Sequence, residues 1–78
     1  MRKYMKALES IRQAAADLAA MGTSAKYIYS VYGEQASGVG KVAVYEYGLT
    51  DEEFEMIQDA VTGLIDELRD NWAKEIGA

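Results

Sequence analysis

Residues 49–76 read LTDEEFEMIQDAVTGLIDELRDNWAKEI and predict one long amphipathic helix over residues 51–76. Thr50 is a favourable N-cap residue, and Glu53 three positions later completes a capping box with it. Apolar residues then recur in steps of three and four, as one face of a helix requires: Phe54, Ile57, Val61, Leu64, Leu68 and Trp72. We expect the rest of the chain to pack against this face.

A first helix is predicted over residues 2–21. Its apolar residues also follow helical spacing: Tyr4, Leu8, Ile11, Ala15 and Leu18. Gly22 follows the last of them and suits the left-handed position that ends many helices. Gly63 in the second helix should cost about 1 kcal/mol relative to alanine. We therefore expect a compensating close approach of the two helices near Ala15 and Gly63.

Two β-strands are predicted between these helices. Residues 25–32, AKYIYSVY, and residues 41–47, KVAVYEY, are rich in Tyr, Ile and Val, which favour strands. Glycines at positions 33, 38 and 40 separate them and indicate a turn, so the two strands should form a β-hairpin. The expected fold is α+β: a single domain over residues 1–78, in the order α-β-β-α, with two amphipathic helices packed on the hairpin.

The composition argues against an enzyme. The chain has no Cys and no His, which removes thiolate chemistry, disulfides and the commonest general base and metal ligand. Carboxylate catalysis needs a shielded cleft, for which a domain of this size has little room. We expect no catalytic residues, no metal and no cofactor. No stretch is apolar enough to span a membrane, and a cytoplasmic protein is expected.

The net charge of −5 is unevenly distributed. Residues 1–49 carry six basic and four acidic side chains, whereas residues 50–78 carry two basic and nine acidic ones. Direct binding to nucleic acid or to an anionic membrane is disfavoured, because phosphate groups would be repelled. A protein partner with a basic surface is favoured instead.

The acidic side of the second predicted helix is the first candidate binding surface. Its members are mostly three or four residues apart and should lie near one face: Glu52, Glu55, Asp59, Asp66, Glu67 and Asp70. Such a row of carboxylates can imitate a phosphate backbone and occupy a cationic channel. The alternative is a solvated helix surface that only keeps the protein in solution.

The tyrosines of the predicted hairpin form the second candidate surface. Both hairpin faces carry large apolar groups, but two helices can cover only one of them, so at least two tyrosines should be exposed. We favour Tyr27, Tyr29 and Tyr45 as protein-binding residues, since tyrosine is enriched at interfaces. The alternatives are that about half of the tyrosines pack under the helices, or that they stack on single-stranded nucleic acid.

In size, acidic charge and expected αββα architecture, the whole chain resembles the small phage-encoded inhibitors, particularly the anti-CRISPR proteins. This resemblance implies a non-enzymatic protein that blocks a bacterial nucleic-acid-binding complex in the host cytoplasm. It implies no particular functional residue, because that class shares no motif. The rival hypothesis is a homo-oligomeric structural or accessory module, such as a homodimer, whose tyrosine-rich hairpin face pairs with itself.

Overall fold

The computed structural model describes residues 1–77, which form three α-helices. They are α1 (Arg2–Ala20), α2 (Ala25–Ala43) and α3 (Asp51–Gly77). Helix α2 packs on both of the other helices. Its contact with α3 is the most extensive, and α1 packs more on α2 than on α3. The described chain is elongated, with extents of 42 × 20 × 14 Å.

The predicted α+β fold with a β-hairpin is wrong, because residues 1–77 contain no strand. Residues 25–32, predicted as the first strand, form the first half of α2, and the predicted strand 41–47 divides between the last turn of α2 and the connection to α3. The preference of Tyr, Ile and Val for strands is a weak local effect that packing overrides. Ser24 caps α2, since its side-chain oxygen accepts a hydrogen bond from the Tyr27 N–H at 3.2 Å.

The buried side of α2 is made mostly of small residues at helical spacing: Gly33, Ala36, Gly40 and Ala43. Gly40 makes the closest approach to α3. A Cβ at this position would lie 3.1 Å from Gln58 Oε1 and 3.4 Å from Val61 Cγ2. Gln58 Nε2 also donates a hydrogen bond to the Gly40 carbonyl at 3.1 Å. Gly40, which suggested a turn, therefore allows α2 and α3 to pack closely.

The core combines these small residues with larger side chains from all three helices. The predicted apolar face of α1 is buried through Tyr4, Leu8, Ile11 and Ala15. Helix α3 contributes the central side chains of its predicted face: Ile57, Val61, Leu64 and Leu68. Ile57 and Leu64 are the largest side chains that are fully enclosed. The hydrophobic periodicity of α1 and α3 therefore identified the residues that hold the bundle together.

The first turn of α3 contains the predicted capping box. The Glu53 N–H donates to Thr50 Oγ1 at 3.1 Å, and the Thr50 N–H donates to Glu53 Oε1 at 3.0 Å. These hydrogen bonds satisfy two backbone donors at the helix start. The bond from the Thr50 N–H is the main cause of the lowered pKa of Glu53. Helix α3 thus begins where the sequence predicted.

The predicted close packing at Gly63 is wrong. Gly63 is exposed, and a Cβ added there would have no atom within 4 Å. Ala15 is buried, but no helix backbone approaches the open side of Gly63. The glycine that permits a close helix contact with α3 is Gly40 in α2, which the predicted hairpin had assigned to a turn.

We predict opposite effects of substitution at these two glycines. Gly63→Ala should raise the free energy of unfolding by about 0.5–1 kcal/mol, because alanine favours a helix and meets no neighbour there. Gly40→Leu should lower it by about 1–3 kcal/mol through overpacking against Gln58 and Val61. Urea denaturation monitored by circular dichroism measures both. Equal stability of the two variants would contradict the assigned packing.

Candidate functional site

The acidic face of α3 comprises Glu52, Glu55, Asp59, Asp66 and Asp70, which project from the side of the helix opposite its buried residues. From Glu52 to Asp70 the row extends about 27 Å along the helix axis. All of its members except the half-buried Asp66 are exposed. The spacing predicted from the sequence therefore places these carboxylates on one side of a single helix, with a gap of about 10 Å between Asp59 and Asp66.

Two of the acidic residues predicted for this surface are engaged in ion pairs. Asp66 Oδ1 lies 2.6 Å from Arg69 NH2, one turn further along the same helix. Glu67 Oε2 lies 3.0 Å from Arg12 NH2 of α1, so Glu67 faces α1 and is outside the acidic face. Among residues 1–77, no ion pair involves Glu55, Asp59 or Asp70. Together with Glu52, which is also exposed and outside these ion pairs, they are accessible to a cationic partner.

The structure does not bring the three predicted tyrosines together. Tyr27 is exposed in the first turn of α2, while Tyr45 follows the last turn and is 83% exposed. From Tyr27 to the end of α2 at Ala43 is 16 positions, or about 24 Å of helix. Tyr29 is half-buried and packs on Trp72, with ring centroids 5.5 Å apart. The expected tyrosine face depended on strand alternation and is absent because this segment is helical.

A polar cluster attaches the connection between α2 and α3 to the start of α1. The Tyr4 hydroxyl donates to Glu46 Oε2 at 2.6 Å, and Lys3 Nζ lies 3.0 Å from Glu46 Oε1. The Lys3 ammonium is also 5.3 Å from the centroid of the Tyr4 ring. We call these three residues the latch, because they join positions that are 42 residues apart in the chain.

The latch shifts the pKa values of its own members. The hydrogen bond from Tyr4, followed by the one from Lys3, lowers the pKa of Glu46 by stabilising the carboxylate. The hydrogen bond to Glu46 raises the pKa of Tyr4 and, with the attraction of the opposite charge, raises the pKa of Lys3. The ionised carboxylate, the neutral phenol and the charged ammonium are therefore the forms that this cluster favours.

The latch also fixes the segment on which two large aromatic side chains are exposed. Tyr45 and Tyr47 flank Glu46 and are 83% and 100% exposed. Tyr47 belongs to the predicted second strand but is not one of the three tyrosines predicted as contact residues. Its location five residues before Glu52 places it near the start of the acidic face. Exposed aromatic side chains on an anchored segment are available as contacts for a protein partner.

A cleft of about 400 Å³ lies between α1 and α3 near the α1–α2 connection. Its floor includes Ala15, Ile28 and Leu68, and Arg12 and Glu67 of the ion pair lie on its wall. The described part of the chain contains no group of three acidic residues placed to hold a metal ion. No helix within residues 1–77 has the length and apolar composition needed to cross a bilayer.

We predict that truncation separates the roles of two tyrosines. Tyr29→Ala should lower the free energy of unfolding by about 1–3 kcal/mol, because it removes apolar burial and the contact with Trp72. Tyr45→Ala should change it by less than about 0.5 kcal/mol, because the side chain is exposed. Urea unfolding followed by tryptophan fluorescence and circular dichroism tests this. A larger loss of stability for Tyr45→Ala than for Tyr29→Ala would refute it.

The latch predicts a specific pH dependence of stability. Because the folded-state pKa of Glu46 lies below its usual 4.5, its stabilising effect is complete above that pH and is lost as the pH falls through the folded-state value. Because the pKa values of Tyr4 and Lys3 are raised above 10.0 and 10.5, their contributions are complete below those values and are lost as the pH rises through the folded-state values.

Urea midpoints of the wild type and Glu46→Gln, measured from pH 7 down to pH 3, test the acid side of this dependence. The variant should be less stable at pH 7, and the difference should shrink as the pH falls. Glu9→Gln is the control, since Glu9 is exposed and outside the latch. A wild-type advantage that stays constant down to pH 3 would show that Glu46 carries no pH-linked stabilisation.

Comparison of the chain with protein-family models, with curated proteins and with solved structures finds no match in any of the three. A function for this protein therefore has to be inferred from the charge, exposure and packing of its own side chains. The acidic face groups five side chains of the same charge on one side of a helix.

Proposed function

We propose that this protein is a small non-enzymatic inhibitor that binds the basic surface of a nucleic-acid-binding protein or complex. In this proposal the acidic face of α3 occupies a site that otherwise accepts a phosphate backbone. The mode of action is that of the anti-CRISPR proteins, and it takes place in the cytoplasm of a bacterial host. The observation that carries the proposal is the exposed row of carboxylates on one side of α3.

The geometry of the acidic face supports this function. A helix holds its carboxylates at fixed intervals, so a complementary row of lysines and arginines can be neutralised without first ordering a flexible segment. Glu55, Asp59 and Asp70 are exposed and have no ion-pair partner among residues 1–77. Their charges would attract a basic partner over a distance and raise the association rate, which salt would lower.

The distribution of charge favours a protein partner over nucleic acid. Residues 50–78 have a net charge of −7, compared with +2 for residues 1–49. A phosphate backbone would be repelled along the whole of α3, whereas a cationic channel would be attracted to it. The same surface therefore suits competition with nucleic acid for a binding protein.

Exposed tyrosines near the row would supply contact area that charge alone does not. Tyr45 and Tyr47 project from the segment that precedes α3 in the chain and that the latch attaches to α1. Aromatic side chains bury a large area at low entropic cost and often dominate binding energy. Tyr27 lies at the opposite end of α2 and Tyr29 packs on Trp72, so we assign them a smaller part in this contact.

We predict that removing charge from the acidic face weakens capture of such a partner. The test variant is Glu55→Gln/Asp59→Asn, and the matched control is Glu9→Gln/Asp17→Asn, which removes the same charge from exposed positions on α1. Wild type and both variants are immobilised, exposed to bacterial lysate and analysed by quantitative mass spectrometry. Basic nucleic-acid-binding proteins should be retained by the wild type and the control, but at least about fivefold less by the test variant.

If the acidic face imitates a phosphate backbone, nucleic acid should compete with it for the captured protein. Added single-stranded or duplex DNA or RNA should displace it from the immobilised protein, and higher salt should weaken the complex. Equal capture by the test variant and the wild type, or a complex indifferent to competing nucleic acid, would exclude phosphate mimicry and leave the acidic face as a solvated surface. If Glu55→Gln/Asp59→Asn has the expected effect, Asp66→Asn and Asp70→Asn are tested next.

A further inference from the structure

An apolar groove runs between α1 and α2 on the side of the bundle away from α3. It has a volume of about 680 Å³ and is lined largely by small and aliphatic residues, including Ala7, Ile11, Gly38, Val39 and Val42. The paired charges of Lys3 and Glu46 lie at one end. We call this surface the α1–α2 groove.

The outward side of α2 continues the apolar surface beyond the groove. Val42 is 60% exposed, Tyr27 is exposed to a similar degree, and Val31 is half-buried. The 19 residues of α2 contain only three charged side chains, Lys26, Glu34 and Lys41. A helix at the surface of a bundle normally has a polar outer side, so this one has the composition of a helix that is covered by a partner.

We propose that the α1–α2 groove is covered by α2 of a second copy of this chain, with the two α2 helices antiparallel across a twofold axis. The arrangement is isologous, so each copy offers the same surface to the other. The charge pattern of α2 is the main argument for this occupant, and the proposal is independent of the function assigned to the acidic face.

Glu34 and Lys41 lie on the same edge of the outward side, about 10 Å apart along the axis, and neither takes part in an ion pair among residues 1–77. A twofold axis that passes between Ser37 and Gly38 places Glu34 of each copy opposite Lys41 of the other. Two equivalent ion pairs then close the edge of the interface. A parallel pair would set equal residues at the same height and leave each Glu34 about 10 Å from the nearest Lys41.

The residue at the crossing point fits the same register. Gly38 lies close to the axis, and a Cβ at that position would have no neighbouring atom within 4 Å, so space for a second helix is present. The acidic faces of both copies point away from this interface, because α3 packs on the other side of α2.

Sedimentation equilibrium over a range of protein concentrations tests the proposal. The wild type should be a reversible dimer, and Val42→Lys should weaken the association at least about tenfold by placing a charge in the apolar interface. The control is Met56→Lys, a 51% exposed position on α3 that should leave the association unchanged. Circular dichroism establishes that both variants keep the helical fold.

A charge exchange distinguishes this dimer from other modes of self-association. Glu34→Lys and Lys41→Glu should each weaken the dimer about threefold or more, because each replaces two attractions with two repulsions. The double variant Glu34→Lys/Lys41→Glu should restore wild-type association, because both pairs re-form with reversed polarity. A wild type that is monomeric at its highest soluble concentration, or a double variant no stronger than the single ones, would overturn the proposal.

Discussion

The close contact between the small-residue side of α2 and the apolar face of α3 is the constraint on which the rest of the structure depends. Gly40 has no side chain, so Gln58 and Val61 reach the backbone of α2, and Gln58 donates to the Gly40 carbonyl. Ala36 and Ala43 extend this contact on either side and are almost completely enclosed. Helix α1 completes the core with its own apolar face. The side of α3 opposite its buried residues carries the carboxylates of the acidic face.

The two outer helices could be predicted from the sequence because their signals agree at several levels. In α3 a capping box precedes a regular apolar stripe, and in α1 the stripe ends just before a glycine with φ +89°. Helix α2 could not be predicted in this way. Its local composition favours strands, and the helical stripe that it buries consists mainly of glycine and alanine, which hydrophobic periodicity does not register. The helical signal was limited to the spacing of Ile28, Ala36 and Ala43 and to Ser24 at the N-cap position.

The acidic face was predicted correctly as one surface and the tyrosine face was not, because α3 was identified as a helix and α2 was not. The acidic face follows from the periodicity of a helix that was identified correctly, so its carboxylates share one side. The tyrosine surface was predicted from the two-residue alternation of a strand. Because the segment is a helix, Tyr27 and Tyr45 lie at opposite ends of α2. The resemblance to anti-CRISPR proteins consequently has no support from architecture and rests on small size and acidic charge alone.

The helical state of α2 has a consequence for the unfolded chain. Residues 27–32, YIYSVY, and 42–47, VAVYEY, combine strand-favouring residues with little charge and no proline, which is typical of segments that assemble into cross-β aggregates. In the native bundle the whole of the first segment is helical, so its backbone hydrogen bonds are satisfied within α2. Only Val42 and Ala43 of the second segment are helical, and the latch at Glu46 attaches the rest to α1. Unfolding releases both segments at once, and heating beyond the unfolding transition is therefore expected to be irreversible.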